Sequence, residues 1–260
     1  MEMAKLVLFH KLLKKKEFPR MERWFQRYHV PEVMQQTPWM VRYAMFRPVP
    51  FLPKEAEAFN IYNFRVHENW ALGPDLRRPP RGALSMSREP VEEVIEGAGI
   101  QVPAVPTEDF MEAFSFEEHP ILRWVCMFRY PEGVSVEEGD DWYLNVHAPE
   151  VMKQNGLIRF LSYKGYPQTG MLVPHKPRAD GSDVRNRNTQ KVYHRLSELW
   201  YEDTDGWLES VIKNPPSYTR PPWAVWDQYP FLEPGVDFAS TFLLEKPEAV
   251  YTQSASPIIW

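Results

Sequence analysis

Two histidines stand in the same short setting, His29-Val30-Pro31-Glu32 and His147-Ala148-Pro149-Glu150. An imidazole titrates near neutral pH, so either ring could take a proton from a bound molecule or return one. Each closes a predicted helix just before a proline. That placement suits a ring turned into a helix–sheet cavity, and it equally suits a ring that caps the last carbonyls of the helix. Two glutamates are also matched, in Arg65-x-x-Glu68-x-Trp70 and Arg195-x-x-Glu198-x-Trp200. Side chains alternate along a strand, which groups Phe64, Val66, Glu68 and Trp70 on one face. By the same alternation His194, Leu196, Glu198 and Trp200 share the corresponding face. A carboxylate among apolar groups needs a partner. Its pKa could rise to suit proton transfer, or it could be paired with a cation purely to hold the sheet. Arg42 and Arg159, repeated on the preceding strand, are the expected partners. The candidate catalytic groups are therefore His147 first, His29 and His194 next, with Glu198 and Glu68 beside them.

Rings and cations near these positions are candidates for substrate contact. Trp142, Tyr143, Tyr163 and Trp200 in the second half, with Trp24, Tyr28 and Trp70 in the first, could form a flat apolar slot for a ring-containing molecule. Each taken alone is better explained by the core. Arg159 or Tyr163 could hold a developing oxyanion or phenolate, and Arg42 is the first half's counterpart of Arg159. The halves are not identical. His194 aligns with Phe64, whereas His67 and Tyr28 occur only in the first half. The second half is the favoured location.

Positioning these groups twice requires the chain to contain itself twice. Trp24–Met34 reappears as Trp142–Met152, with six of eleven residues identical. Met40–Phe46 resembles Ile158–Tyr163, and the Arg-x-x-Glu-x-Trp blocks follow in the same order. Such self-similarity decides the fold. Strands are predicted at 5–10, 39–46, 61–70, 122–130, 157–163, 192–200 and 236–245. Helices are predicted at 18–28, with a break at 29–31 imposed by Pro31, at 136–146 and at 205–213. A short helix is expected at 91–98 and a helix start at Thr107. The first half's fourth strand is not evident. The order β-α-β-β-α-β implies two four-stranded antiparallel sheets packed together with helices outside. The division expected is 1–118, carrying a proline-rich insertion, and 119–260, carrying a tail.

Composition narrows the function. The 260 residues carry a net charge of −5, which does not favour a nucleic-acid partner. No apolar run approaches the roughly 20 residues of a membrane span, and the N-terminus does not read as a secretion signal. With one cysteine, Cys126, disulfides within the chain and cysteine-based zinc sites are excluded. A cytoplasmic protein is expected. No metal-ligand spacing, phosphate loop, dinucleotide fingerprint or Gly-x-Ser-x-Gly setting occurs, so no metal and no cofactor is expected. The 26 prolines and ten tryptophans cluster in long ordered excursions, notably 214–231, which read as pocket walls or lids. The apolar tail Tyr251–Trp260 is expected to fold over a pocket or onto a partner chain, which would make a homodimer.

The residues Asp141-Trp142-Tyr143-x-x-x-His147-x-Pro149-x-Val151, Glu198-Leu199-Trp200-Tyr201 and Phe242-Leu243-Leu244-Glu245 resemble an EthD-type domain of the dimeric α/β-barrel superfamily. The second half follows the pattern nearly throughout. The first keeps Trp24, His29, Pro31, Glu68 and Trp70. The resemblance implies an α+β fold, with two ferredoxin-like β-α-β-β-α-β repeats closing a dimeric-type α/β barrel within one chain. It also implies a small, cofactor-free enzyme acting on an aromatic or polyketide-like molecule, as a decarboxylase, dehydratase, formaldehyde-releasing lyase or isomerase. The alternatives it leaves are a non-catalytic aromatic-ligand binder, a haem-binding barrel and a cofactor-free oxygenase.

Overall fold

The computed structural model describes residues 3–72, 94–111, 121–167 and 192–253. Ten strands form two five-stranded antiparallel sheets. The first sheet contains β1 (Met3–Leu12), β2 (Met40–Phe46), β3 (Arg65–Leu72), β4 (Ile95–Pro103) and β10 (Ala249–Thr252), in the order β10-β2-β3-β1-β4. The second contains β5 (Glu108–Asp109), β6 (Leu122–Phe128), β7 (Arg159–Lys164), β8 (Arg195–Tyr201) and β9 (Phe238–Leu244), in the order β5-β7-β8-β6-β9. Apart from β10 and β5 the two orders are the same, and that order is the ferredoxin-like one.

The fifth strand of each sheet is a departure from the four expected. After β4 the chain crosses to the edge of β7 as β5, and after β9 it crosses to the edge of β2 as β10. Two arginines secure these crossings. Arg65 Nε donates to Glu22 at 2.9 Å, and its guanidinium also binds Glu248, four residues after the end of β9 and one before β10. Arg195 binds Asp140 at 2.6 Å, Glu108 at 2.9 Å and the Ser162 hydroxyl at 2.9 Å. Each arginine thus ties a helix, its own strand and the incoming edge segment together. The β2–β3 connection also reaches the opposite sheet. Val49 and Tyr62 donate backbone hydrogen bonds to Phe242 and Ser240 on β9. Gly165 and Tyr166, just after β7, approach β4, where Tyr166 donates to the Gln101 carbonyl.

One face of each sheet packs on the other. Val7, Phe9, Val66, Ile100, Val125, Met127, Leu161 and Leu196 are buried in that shared core. The opposite faces carry the helices. In the first half α1 (Phe18–Trp24) runs through a π-turn, Phe25–His29, into α2 (Val30–Gln36). In the second, α3 (Val136–Trp142) runs through a π-turn, Tyr143–His147, into α4 (Ala148–Val151). Ser135 caps α3 by accepting from the Glu138 amide. The prolines do not break these helices as expected. Each sits at the second position after a π-turn, whose i→i−5 bonds (Val30 N–H to Phe25, Ala148 N–H to Tyr143) reset the ladder before the residue that cannot donate.

The strand and helix expectations hold with shifted ends, but two are corrected. Residues 95–98 belong to strand β4, the first half's fourth strand, and not to a helix. Thr107 starts no helix either: its hydroxyl accepts from the Lys164 amide beside the β5–β7 pair. Of the tail, 249–252 forms β10, while 254–260 lies outside the described residues, as do 73–93 and most of the polar loop after Tyr166. The third expected helix is α5 (Thr204–Leu208) with a π-turn, Glu209–Lys213. Among the described residues, no helix is long and apolar enough to cross a membrane.

Candidate functional site

The expected site residues divide among three places. The first is the space between the second sheet and its helix. Trp124, Cys126 and Phe128 of β6, Phe160 of β7, and Ser197 and Leu199 of β8 form its floor. Trp142, Tyr143, His147 and Val151 close it from the helix, and Tyr229, Pro230, Leu232 and Phe238 from the far side. The cavity between these walls is about 20 Å³. That is room for about one water.

His147 is a wall of this hollow. The helix continues beyond it, so the ring does not cap a helix end. The π-turn sets it instead among aromatic neighbours. Trp142 lies 4.8 Å away and Tyr143 5.6 Å, and Tyr229 stacks on it at 5.7 Å with 17° between planes. Its Nδ1 is buried and has no hydrogen-bond partner among the described residues. Burial pushes its pKa down to about 4, against a weaker upward pull from Glu150. At neutral pH the ring is an uncharged acceptor. Beside it the Tyr143 hydroxyl and Ser197 Oγ are 2.8 Å apart. Burial pushes the Tyr143 phenol up to about 12 even with Arg195 stacked 4.7 Å over its ring, so it keeps its proton and can donate. The Cys126 thiol is also pushed up by burial and stays protonated.

A strap at 214–234 covers the hollow. Tyr218 stacks on Tyr229 at 4.1 Å. The strap is fastened to the helix side by Thr219, which donates to Glu150 from both its amide and its hydroxyl, and by Gln154, which donates to the Tyr218 hydroxyl.

The second place is the interface between the sheets. Glu68 and Glu198 are both there, on the face away from His147. Their partners are not Arg42 and Arg159. Arg123 donates to Glu68 at 2.9 Å and to Glu198 at 2.9 Å, and Lys5 reaches Glu198 at 3.4 Å. Lys5 and Arg123 lie opposite Trp70 and Trp200 in equivalent registers, so each sheet lends a cation to the other's carboxylate. Burial opposes the charge on Glu198, but Arg123 and Lys5 outweigh it and hold the carboxyl well below the usual range. Such a carboxylate stays ionised and is a poor proton carrier. Tyr163 lies under Lys5 at 4.1 Å. Arg42 stacks on Trp70 at 4.4 Å, and Arg159 on Trp200 at 5.1 Å while pairing with Asp109 at 2.7 Å. Strand alternation separates Arg159, Tyr163 and Trp200 from Phe160, Ser197 and Leu199, so these rings do not share one slot with Trp142 and Tyr143.

The third place lies under the first helix. His29 packs on Trp24 at 4.6 Å and faces His67 at 6.0 Å. Tyr28 packs half-buried against the same apolar cluster. Phe64 precedes β3 and packs under the helix with Phe25, not on the face of Glu68. His194 likewise precedes β8. Its ring lies 5.3 Å from Tyr130 and its Nδ1 accepts the Tyr130 amide, so it does not sit beside Glu198.

Sequence reasoning named His147, Trp142 and Tyr143 and read the excursion that carries Tyr229 as a pocket wall or lid, and it missed Ser197, Cys126 and Phe128. Alternation carried the signal for Ser197. Taking the glutamate's face as the site's face selected the side of β8 that turns away from the hollow.

Comparison with known proteins follows this geometry. A model of the chalcone isomerase N-terminal domain matches residues 1–100. No curated protein matches the chain. Among solved structures, an anthrone oxidase-like protein superposes with a TM-score of 0.51 at 10% identity, covering 96% of this chain and 93% of its own. A monooxygenase-like protein from Lactobacillus acidophilus NCFM scores 0.36 at 9% identity, with 97% of both chains covered. Another from Fusobacterium nucleatum scores 0.36 at 8%, covering 97% of this chain and 95% of its own. The first shares the fold, an α+β architecture with two antiparallel sheets.

Proposed function

We propose that the chain is a cofactor-independent lyase or isomerase that moves a proton on an aromatic or polyketide-like small molecule in the hollow beside His147. In this reading two EthD-like, ferredoxin-like repeats, 1–118 and 119–260, are fused, and the second holds the working site. The observation that carries it is the His147 ring: neutral, unpartnered at Nδ1, and flanked by Trp142 and Tyr229 in an otherwise apolar hollow. A neutral imidazole in a dry site accepts a proton from a carbon or hydroxyl beside a carbonyl. The Tyr143–Ser197 hydroxyl pair bonds the oxygen on which charge develops. Trp142 and Phe160 hold the ring. A substrate ring needs more room than one water, so Tyr229 swings away from His147 and the strap gives way around it.

The match of residues 1–100 to the chalcone isomerase N-terminal domain supports the class through the first half, the hollow itself lying outside the matched residues. The test is a panel of hydroxychalcones, whose ring closure bleaches their conjugated absorbance, together with hydroxylated aryl carboxylic acids followed for carbon dioxide release. The chain turns over a member of the panel, and His147→Ala lowers that turnover by about 10² or more. Wild-type turnover in His147→Ala would refute the assignment. Ligand binding with the molecule released unchanged across the panel would point to a non-catalytic aromatic-ligand binder.

A further inference from the structure

The space under the first helix buries a set of polar rings that the reaction above does not use. His67 is fully enclosed and sits at the centre. The Tyr43 hydroxyl lies 2.8 Å from its Nδ1. His10 is 4.8 Å from it, ring to ring, and Phe25 4.9 Å. His10 and His29 are partly exposed, so the cluster reaches the surface through them. Whichever atom donates in the Tyr43–His67 bond, His67 Nε2 is left unpaired. The Nδ1 atoms of His10 and His29 are unpaired as well, among the described residues. So is Oδ1 of Asn69, which faces Tyr43 in the sheet register. An unsatisfied buried polar atom is costly, and native interiors hold few of them. Four in one neighbourhood call for an occupant.

The sheet registers give the matching positions in the other half. His10 pairs with Arg65 as Phe128 does with Arg195, Leu8 with His67 as Cys126 with Ser197, and Tyr43 follows Arg42 as Phe160 follows Arg159. The second half therefore holds Phe, Ser and Phe where the first holds His10, His67 and Tyr43. The fold does not need the imidazoles. Among the described residues no group of three His, Cys, Asp or Glu is arranged to hold a metal ion, so an organic occupant fits better.

We propose that this cluster is a second binding site, for a neutral hydroxylated aromatic molecule whose hydroxyl bonds His67 and whose ring lies against Phe25. Burial holds all three imidazoles uncharged. A neutral imidazole offers one donor and one acceptor, which a phenol's hydroxyl satisfies in both directions. A phenolate would gain little, because Arg65, the cation that acts on His67 and Tyr43, is already bound to Glu22 and Glu248.

The probe is 4-nitrophenol, titrated where the free molecule is largely the yellow phenolate. Binding to this site takes up the colourless neutral form, so added protein bleaches the solution. His67→Ser combined with Tyr43→Phe installs the second half's own residues and weakens binding at least tenfold. His29→Phe, at the exposed side, does the same should the double variant unfold, with circular dichroism as the check. His147→Phe leaves this binding within about twofold. Bleaching unaffected by either first-half variant, or uptake of the yellow form, overturns the proposal. Loss of all binding in His147→Phe also overturns it, and leaves the preceding reading standing. Loss only in the first-half variants supports this site and leaves the role of His147 to its turnover test.

Discussion

The two helix–sheet spaces occupy matching positions and hold opposite chemistry. The first packs two imidazoles and a phenol around a third imidazole, His67. The second replaces them with Phe128, Ser197 and Phe160 and leaves one histidine, His147, facing a hollow. What the halves share is scaffolding: the π-turn before a proline, the arginine that anchors an incoming edge strand, and the glutamate met by a cation from the opposite sheet. The duplicated arginines and glutamates serve the fold, as Glu68 and Glu198 show. The residues that differ, such as His67 and Ser197, line the two proposed binding spaces, where His147 is the duplicated residue on which the proposed reaction rests.

Four changes would break or sharpen that contrast. The largest effect is on turnover. His147→Ala lowers it by about 10² to 10⁴, while His29→Ala stays within about threefold; the reverse pattern would move the working site to the first half. Next come the shared anchors. Arg65 and Arg195 are both fully buried against carboxylates. Arg65→Met and Arg195→Met should each destabilise by about 3–5 kcal/mol in denaturant unfolding. A large cost at one position and none at the other would show that the anchors are not equivalent.

Acid should separate the halves as well. His10, His29 and His147 have pKa values pushed by burial to about 3, 4 and 4, against an ordinary 6.5. The unfolded chain therefore binds more protons between pH 6.5 and about 4, and stability is lost as pH falls through that window, by up to about 3 kcal/mol per ring. His10→Phe with His67→Ser should flatten this loss more than His147→Phe does, because the first half holds more of the depressed groups. Equal slopes would deny the difference. The smallest effect is at the hydroxyl pair. Tyr143→Phe should lower turnover by about 10² with little change in stability, and Tyr43→Phe should leave turnover unaltered.

Much of the architecture was legible in the sequence. The repeated Trp–His–Pro–Glu block placed both first helices, and period-two runs placed most strands. Misreadings had local causes. Val91–Ala98 carries helix-forming glutamates, yet Ile95 onward becomes β4 because Ala98, Ile100 and Val102 bury themselves beside β1. The crossings of β5 and β10 depend on pairing between distant segments, which no local pattern records. His147 could be found because its setting is repeated. Ser197 was harder to find, because it is an ordinary residue on the face opposite a conspicuous glutamate, and Tyr229 was legible only as part of the 214–231 excursion read as a pocket wall or lid.

The central claim is that the His147 hollow takes the aromatic substrate. A crystal structure with a bound hydroxyaryl ketone tests it most directly. The account predicts the ketone ring against Trp142, its oxygen at the Tyr143–Ser197 pair, and Tyr229 displaced from His147. A ketone lodged between the sheets beside Glu68, Glu198 and Trp200, with the hollow still closed by Tyr229, would contradict it.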